Sequence, residues 1–105
     1  MNRSKILVKD LNLAKNKKLE LVGICIKDNN TNFLFLDYSG EIEIYKNNEL
    51  KFPEKRIKIY CTTFLKNKKI FLYCTGYKTI DLYESIFFTI ESVNFNKHYI
   101  KNHKK

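Results

Sequence analysis

Alternating hydrophobic and polar residues dominate the middle of the chain and predict β-strands. The segment LELVGICIK (19–27) is rich in apolar and β-branched residues and contains Gly23, a combination typical of a strand that bends or bulges at one point. A polar cluster follows at 28–32, and NFLFLDY then predicts a second strand. After a tight turn, EIEIYK alternates strictly and places Ile42 and Ile44 on one face, which indicates a third, half-buried strand.

Two more strands follow the polar connection at 47–54. RIKIYCTTF (56–64) alternates again, and a basic hairpin turn at 66–69 returns the chain into IFLYCT. The inward positions of the fourth strand are Ile57, Ile59 and Cys61. In the fifth strand Ile70, Leu72 and Cys74 lie on one face and Phe71 and Tyr73 on the other.

The hydrophobic period then changes from two to about 3.6 residues and predicts a C-terminal helix. Asp81 is a good N-cap with Glu84 three residues later, and the helix is expected from about 82 into the nineties. The predicted division of the chain is a basic lead-in segment (1–18) that lies along the barrel, a barrel (19–80), an assembly helix (81–97) and a basic tail (98–105).

Five short strands, a glycine near the start and a long connection after the third strand predict an all-β protein with a C-terminal α-helix. The architecture that fits best is a five-stranded OB-fold barrel, which removes open sheet edges by closing. A five-stranded SH3-like barrel is the alternative. In a plain OB-fold a helix usually fills the barrel end between the third and fourth strands, and the connection here is short for that.

Composition supports one small folded domain. The chain has 105 residues, of which 44% are hydrophobic and 14% aromatic, too many for a disordered tail. No apolar run approaches the length of a membrane span, and the N-terminus lacks the pattern of a signal peptide. We therefore expect an intracellular protein without a membrane segment.

The sequence offers little for catalysis or metal binding. Cys25, Cys61 and Cys74 are odd in number, lie in apolar runs and form no CxxC motif, so buried free thiols are expected and no metal or cofactor is predicted. His98 and His103 lie in the basic tail, distant in sequence from any carboxylate cluster. Because no nucleophile, phosphate-loop or zinc-protease motif is present, an enzyme is not expected.

The formal net charge of +9 is concentrated at the two ends of the chain. Residues 1–18 carry six basic side chains against one acid, and 97–105 carry four lysines and no acid. Lysine-rich ends also serve solubility. Inside the domain, 46–69 is basic by eight residues to two, and this stretch is the candidate anion-facing surface.

The predicted helix is apolar around more of its circumference than one contact with the barrel requires. This excess indicates a second apolar surface that is buried against a partner. The alternative is a helix that plugs the barrel of its own domain. The candidate partner-interface residues are Tyr83, Ile86, Phe87, Ile90 and Val93.

The order and spacing of several segments resemble the OB domain of the middle subunit of replication protein A. The resemblance runs through LVGICIKDNNTNFLFLD, SGEIEIY, RIKIY, the KNKK turn and DLYESIFFTIESVN, and covers about 80 residues, 19–96. It implies a subunit of a nuclear heterotrimer that binds single-stranded DNA in replication and repair, joined to other OB-fold subunits through the C-terminal helix. A small subunit of the related telomere-capping trimer is the alternative within this group.

An OB-fold binds single strands by stacking bases on aromatic side chains while lysines and arginines follow the backbone. Such contact would be weak for this chain alone. A protein-interaction module without nucleic-acid contact, and an RNA-binding OB protein, remain alternatives. The candidate nucleic-acid-binding residues are Tyr45, Lys46, Phe64, Lys66, Lys68, Lys69, Phe71 and Tyr73.

Overall fold

The computed structural model describes residues 4–13 and 17–103, without the side chains of 12, 13 and 94–103. Parts of the predicted lead-in (1–3 and 14–16) and tail (104–105), and the His98 and His103 side chains, therefore lie outside the described residues. A 3₁₀ segment occupies Val8–Leu13. The other elements are β1 (Ser4–Lys5), β2 (Lys18–Asp28), β3 (Asn32–Asp37), β4 (Gly40–Lys46), β5 (Ile57–Lys66), β6 (Lys69–Thr79) and α1 (Leu82–His103).

Five long strands close on themselves, in the order β2-β3-β4-β6-β5 with β5 paired back to β2. All neighbours in this ring are antiparallel except β4 and β6, which pair in parallel with Tyr45 opposite Tyr73. This connectivity is that of the OB-fold. The fold prediction is confirmed, with one addition: the two-residue β1 pairs in parallel with the start of β2, so the sheet has six strands within the described residues.

Alternating strand positions build the barrel interior. Ile57, Ile59 and Cys61 are buried as predicted, whereas Ile70, on the same face of its strand as the buried Leu72, is 55% exposed. Phe33 and Phe35 of β3 are fully buried and their rings meet edge to face. Ile42 is only partly buried and packs against this core. The fully enclosed strand residues are Leu19, Leu21, Phe33, Phe35, Ile44, Ile57, Ile59, Cys61, Leu72 and Cys74.

Gly23 marks the place where β2 passes from one partner to the other. It is the last residue paired with β5, opposite Ile57, and the pairing with β3 begins at the next residue, Ile24 opposite Leu36. A Cβ at position 23 would overlap the carbonyl oxygen of Leu36. The register irregularity of β2 lies slightly later, between Cys25 and Lys27. Glycine is thus required by close backbone approach, and the bulge follows it.

The lead-in segment packs against the barrel through the buried Ile6 side chain and a hydrogen bond to the Asp37 carboxylate. Ile6 is fully buried in the core, which anchors the strand that precedes the 3₁₀ segment. One oxygen of Asp37 accepts a hydrogen bond from the Val8 amide at 2.8 Å, and the other accepts from the Ser39 amide and hydroxyl at 2.8 and 2.6 Å. Asp37 therefore joins the β3–β4 turn to the start of the 3₁₀ segment.

The C-terminal helix begins where the capping pattern predicts. Asp81 Oδ1 accepts a hydrogen bond from the Glu84 amide at 2.8 Å, while the Glu84 carboxylate pairs with Lys78 at 3.2 Å. The helix continues to His103, through most of the stretch that the sequence assigned to a basic tail. Within the described residues, no helix is both long and apolar enough to cross a bilayer.

Candidate functional site

Three aromatic side chains meet on the outer surface of the barrel and form what we call the aromatic cluster: Tyr45, Phe64 and Phe71. The Phe64 and Phe71 rings stack with centroids 5.4 Å apart and planes 20° apart. The Tyr45 ring lies 6.3 Å from Phe64 and 5.9 Å from Phe71, inclined to both. Stacked and inclined rings on an open surface offer faces on which a planar ligand can lie.

Strand pairing explains how residues distant in sequence converge. Phe64 and Phe71 are direct cross-strand partners in the β5–β6 hairpin, and direct partners on one face have side chains in contact. Tyr45 is the second-to-last residue of β4 and pairs with Tyr73 of β6, two residues beyond Phe71. The alternation of all three strands could be predicted from the sequence, but the contact of β4 with the hairpin depends on barrel closure.

The lysines predicted for this surface surround the tip of the hairpin. Asn67 and Lys68 both have positive φ, 53° and 65°, so the two-residue turn has the geometry of a type I′ hairpin turn. Lys66, Lys68 and Lys69 are exposed there. Lys66 and Asn67 line a cavity of about 390 Å³ together with the aromatic cluster. Positive charge thus borders the aromatic rings. Asn67 also lines this cavity, a role that the sequence pattern did not indicate.

Lys46 lies elsewhere, although the sequence pattern grouped it with this surface. Its Nζ is fully enclosed, 2.8 Å from the Asp28 carboxylate and 2.7 Å from the Leu50 carbonyl oxygen to which it donates. The ammonium also lies 5.8 Å from the centroid of the Phe52 ring. In this arrangement Lys46 links the end of β2 to the β4–β5 connection and does not border the cavity of the aromatic cluster.

Tyr73 is exposed beside a second groove, of about 380 Å³, rather than in the cavity lined by the aromatic cluster. Polar side chains of the β4–β5 connection, Asn47 and Glu49, border this groove with Thr75. The sequence pattern assigns no role to Asn47, Glu49 or Thr75, because isolated polar residues are common in any solvent-exposed loop. The groove places donors and acceptors next to an aromatic ring.

A second candidate surface lies on α1, which has two apolar faces. Phe88 is 3% exposed and packs inward, and Ser85 and Ser92 are buried on the same face. The helix is also tied to β1 by an ion pair between Glu91 and Lys5 at 3.2 Å. On the other face, Tyr83, Ile86, Phe87 and Ile90, which we call the helix stripe, are between 47% and 73% exposed. Val93, predicted with them, is partly buried, and the exposed Leu82 extends the apolar face.

Three cysteines lie within the described part of the chain. Cys25, Cys61 and Cys74 form no disulfide with one another, and a hydrogen bond from Cys61 lowers the pKa of its buried neighbour Cys74. Across the described ranges, no three His, Cys, Asp or Glu side chains gather as a metal site requires. The two candidate surfaces offer stacking, charge attraction and apolar burial.

Comparison with known proteins places the chain in a family. Among solved structures, one chain of a replication protein A heterotrimer bound to ssDNA is similar over 85% of this chain and 79% of that chain, with 20% identity and a TM-score of 0.64. The telomere capping protein Ten1 from Saccharomyces pombe is similar over 89% of this chain and 98% of that chain, with 13% identity and a TM-score of 0.59. These likenesses agree with the OB-fold topology described above. The search of curated proteins finds no significant match. The sequence pattern of the ECU03_1140 family matches residues 19–95, which span the barrel and much of α1, and the chain therefore belongs to the ECU03_1140 family.

Proposed function

We propose that the chain is a subunit of a heterotrimeric complex that binds single-stranded DNA, similar to replication protein A, and that it acts in the nucleus during DNA replication and repair. Its main role is assembly through α1, and its own DNA contact is weak. The observation that carries the proposal is the exposed helix stripe. The fold likeness to a replication protein A chain and to Ten1 supports it at the level of architecture.

The residues of the helix stripe have the spacing expected of a helix–helix interface. Tyr83, Ile86, Phe87 and Ile90 recur at i, i+3, i+4 and i+7, so they form one continuous apolar strip along the helix. The opposite face already packs on the domain through Phe88, so the stripe has no core of its own to enter. Burying each such side chain contributes about 1.5–3 kcal/mol. Other OB-fold subunits that present a similar helix are the partners proposed for it.

Co-expression with the other OB-fold subunits of the same organism tests the assembly role. The double substitution Ile86→Asp and Ile90→Asp should abolish co-purification, since it places two carboxylates in an apolar interface. Ile26→Asp is the matched control, because Ile26 is similarly exposed, at 44%, but lies on β2. Co-purification that survives the double substitution would refute assembly through the stripe. A homodimer found by light scattering, lost in the same variant, would replace the heterotrimer with self-association.

The aromatic cluster and the lysines of the hairpin tip support weak single-strand binding. Each base stacked on an aromatic ring is worth about 1–3 kcal/mol, and neighbouring lysines add an electrostatic attraction that falls as salt rises. Tyr45, Phe64 and Phe71 provide the rings, and the cavity that they line is bordered by Lys66. Because the cluster holds few rings, tight binding requires the other subunits.

Fluorescence anisotropy with a labelled single strand at two salt concentrations tests this second role. Phe71→Ala should weaken binding by about 5- to 150-fold, the range that corresponds to one lost stacking contact. Replacing Lys66, Lys68 and Lys69 by Glu should flatten the salt dependence. If the salt slope of the assembled complex is unchanged in the lysine variant while the helix variant abolishes assembly, the chain is an interaction module without nucleic-acid contact.

A telomere-capping subunit is the second candidate, favoured by the likeness that spans 98% of the Ten1 chain. The two candidates differ in the strand that the assembled complex prefers. A role in general replication predicts similar affinity for mixed-sequence and telomeric-repeat single strands. A role in telomere capping predicts a clear preference for the telomeric strand of the same length. Competition between the two oligonucleotides for the purified complex decides between them.

A further inference from the structure

The β5–β6 hairpin carries apolar side chains on the face opposite the aromatic cluster. Pairing of β5 with β2 ends at Thr62 opposite Lys18, so the hairpin projects past the described part of that strand. The alternation that buries Cys61 and Leu72 continues outward to Leu65 and Ile70, which are 71% and 55% exposed. These two residues are cross-strand partners and therefore form one exposed aliphatic step.

A groove runs from this step towards the barrel. Two adjoining depressions share Thr63 and Ile70, and we call them together the aliphatic groove. The inner depression has a volume of about 330 Å³ and the outer one of about 530 Å³. Apart from Thr63 and the lysines, the lining is apolar, and Phe64 borders only the outer depression. The remaining lining residues are Leu11, Lys17, Ile42, Leu65, Lys68 and Leu72.

The charges around the aliphatic groove have one sign. Lys17 lines the outer depression and Lys68 the inner one, and none of the described lining residues is acidic. Glu41 and Glu43 flank Ile42 in β4, but the alternation of a strand points them to the opposite face. The groove therefore combines an aliphatic floor with a basic rim, and a complementary ligand must be apolar in its middle and anionic at its edges.

We propose that the aliphatic groove binds an acidic amphipathic peptide segment of a protein partner, whose leucine- or phenylalanine-type anchors lie on Leu65 and Ile70 while its carboxylates face Lys17 and Lys68. Branched aliphatic side chains accept such anchors well. Nucleic-acid bases prefer aromatic faces, and of the aromatic cluster only Phe64 borders the groove, whereas Tyr45 and Phe71 do not line it. The two faces of one hairpin thus bind two chemically different ligands, and this inference does not depend on the proposed DNA contact.

Selection from a displayed library of random peptides, followed by NMR titration of the folded protein with the selected peptides, tests this inference. The expected peptides combine Asp or Glu with bulky apolar residues, and their shifts map to the aliphatic groove. Ile70→Asp and Lys17→Glu should each weaken binding about tenfold or more, since each removes a contact of roughly 1.4 kcal/mol. Phe71→Ala on the opposite face is the matched control and should bind normally.

Several outcomes would overturn the inference. These are a selection that enriches nothing, enrichment of basic or uncharged peptides, shifts centred on Tyr45 and Phe71, and an affinity that survives both Ile70→Asp and Lys17→Glu. Shifts in the groove caused by a single-stranded oligonucleotide that displaces the peptide would assign this face to nucleic acid instead. Concentration-dependent self-association that Ile70→Asp abolishes would assign it to a second copy of the chain. None of these results depends on whether the helix stripe assembles a trimer.

Discussion

The backbone at Gly23 lies too close to the neighbouring strand for any other residue. A methyl group there would overlap the Leu36 carbonyl oxygen and touch the Phe35 ring at 3.0 Å. Gly23→Ala should therefore destabilise the protein by about 2–3 kcal/mol, as overpacking against backbone does. Gly76→Ala is the matched control, because a Cβ at position 76 meets nothing within 4 Å. Chemical denaturation followed by circular dichroism measures both; equal midpoints would contradict the close approach.

Asp10 is an unusual carboxylate because it is buried with one oxygen unpartnered among the described atoms. Asp10 is only 6% exposed, and its Oδ2 has no hydrogen-bond donor among the described atoms. Burial, and secondarily the charge of Asp37, raise the pKa of Asp10 above its ordinary value, while Lys9 opposes them. A raised pKa means that the folded state holds this proton more tightly than the unfolded state does. The contribution of Asp10 to stability is therefore greatest at low pH and is lost as the pH rises through the raised pKa.

Asp10→Asn should consequently stabilise the protein at neutral pH and have little effect at acid pH. The substitution removes the cost of burying a charge, and a gain of roughly 1 kcal/mol at pH 7 is expected, near the lower end of the penalty for an unsatisfied buried group. Near pH 3.5 most of the wild-type carboxyl is already protonated, so the two proteins should unfold almost together. Thermal melts across this pH range test the sign, and a difference that is constant with pH, or largest in acid, would refute it.

The turn between β5 and β6 has a left-handed backbone conformation that lysine adopts only at a cost in free energy. Lys68 adopts a φ of 65°, which glycine tolerates without cost and a residue with a long side chain does not. Lys68→Gly should stabilise the hairpin by about 0.5–1 kcal/mol. Lys69→Gly also removes one positive charge, but Lys69 lies in β6, where glycine weakens the pairing of the strands. Opposite changes in the unfolding midpoint of the two variants are expected, and parallel changes would indicate an effect of charge alone.

Much of the element pattern could be predicted because strand alternation and helix capping are local signals. The five long strands, the inward positions of β5 and the cap at Asp81 all follow from spacing within single segments. The burial of Lys46 could not be predicted this way, because its partners Asp28, at the end of β2, and Leu50, in the β4–β5 connection, meet only when the barrel closes. The exposure of Ile70 was missed for a related reason: alternation identifies a face of a strand but does not tell where the barrel beneath it ends.

At the scale of the molecule, α1 is docked by one face and open on the other. The docked face combines buried Phe88 with the Lys58 ammonium 5.9 Å from its ring centroid, and the Lys5–Glu91 pair reinforces the contact at β1. A helix that merely plugged its barrel would bury its large apolar residues on the inner side and leave polar ones outside. The exposed helix stripe departs from that arrangement, so docking and partner binding should be separable by mutation.

Two neighbouring phenylalanines of α1 allow this separation to be tested with the same substitution. Phe88→Ala empties a buried site and should lower the free energy of unfolding by about 3–5 kcal/mol. Phe87→Ala removes a ring that is 63% exposed, so the isolated chain should change by less than about 0.5 kcal/mol, whereas co-purification with partner subunits should be weakened. Urea unfolding of the isolated chain and co-purification of the complex give the two readouts. If Phe87→Ala destabilised the isolated chain as much as Phe88→Ala does, both faces would belong to the fold of one domain and the helix stripe would not be an interface.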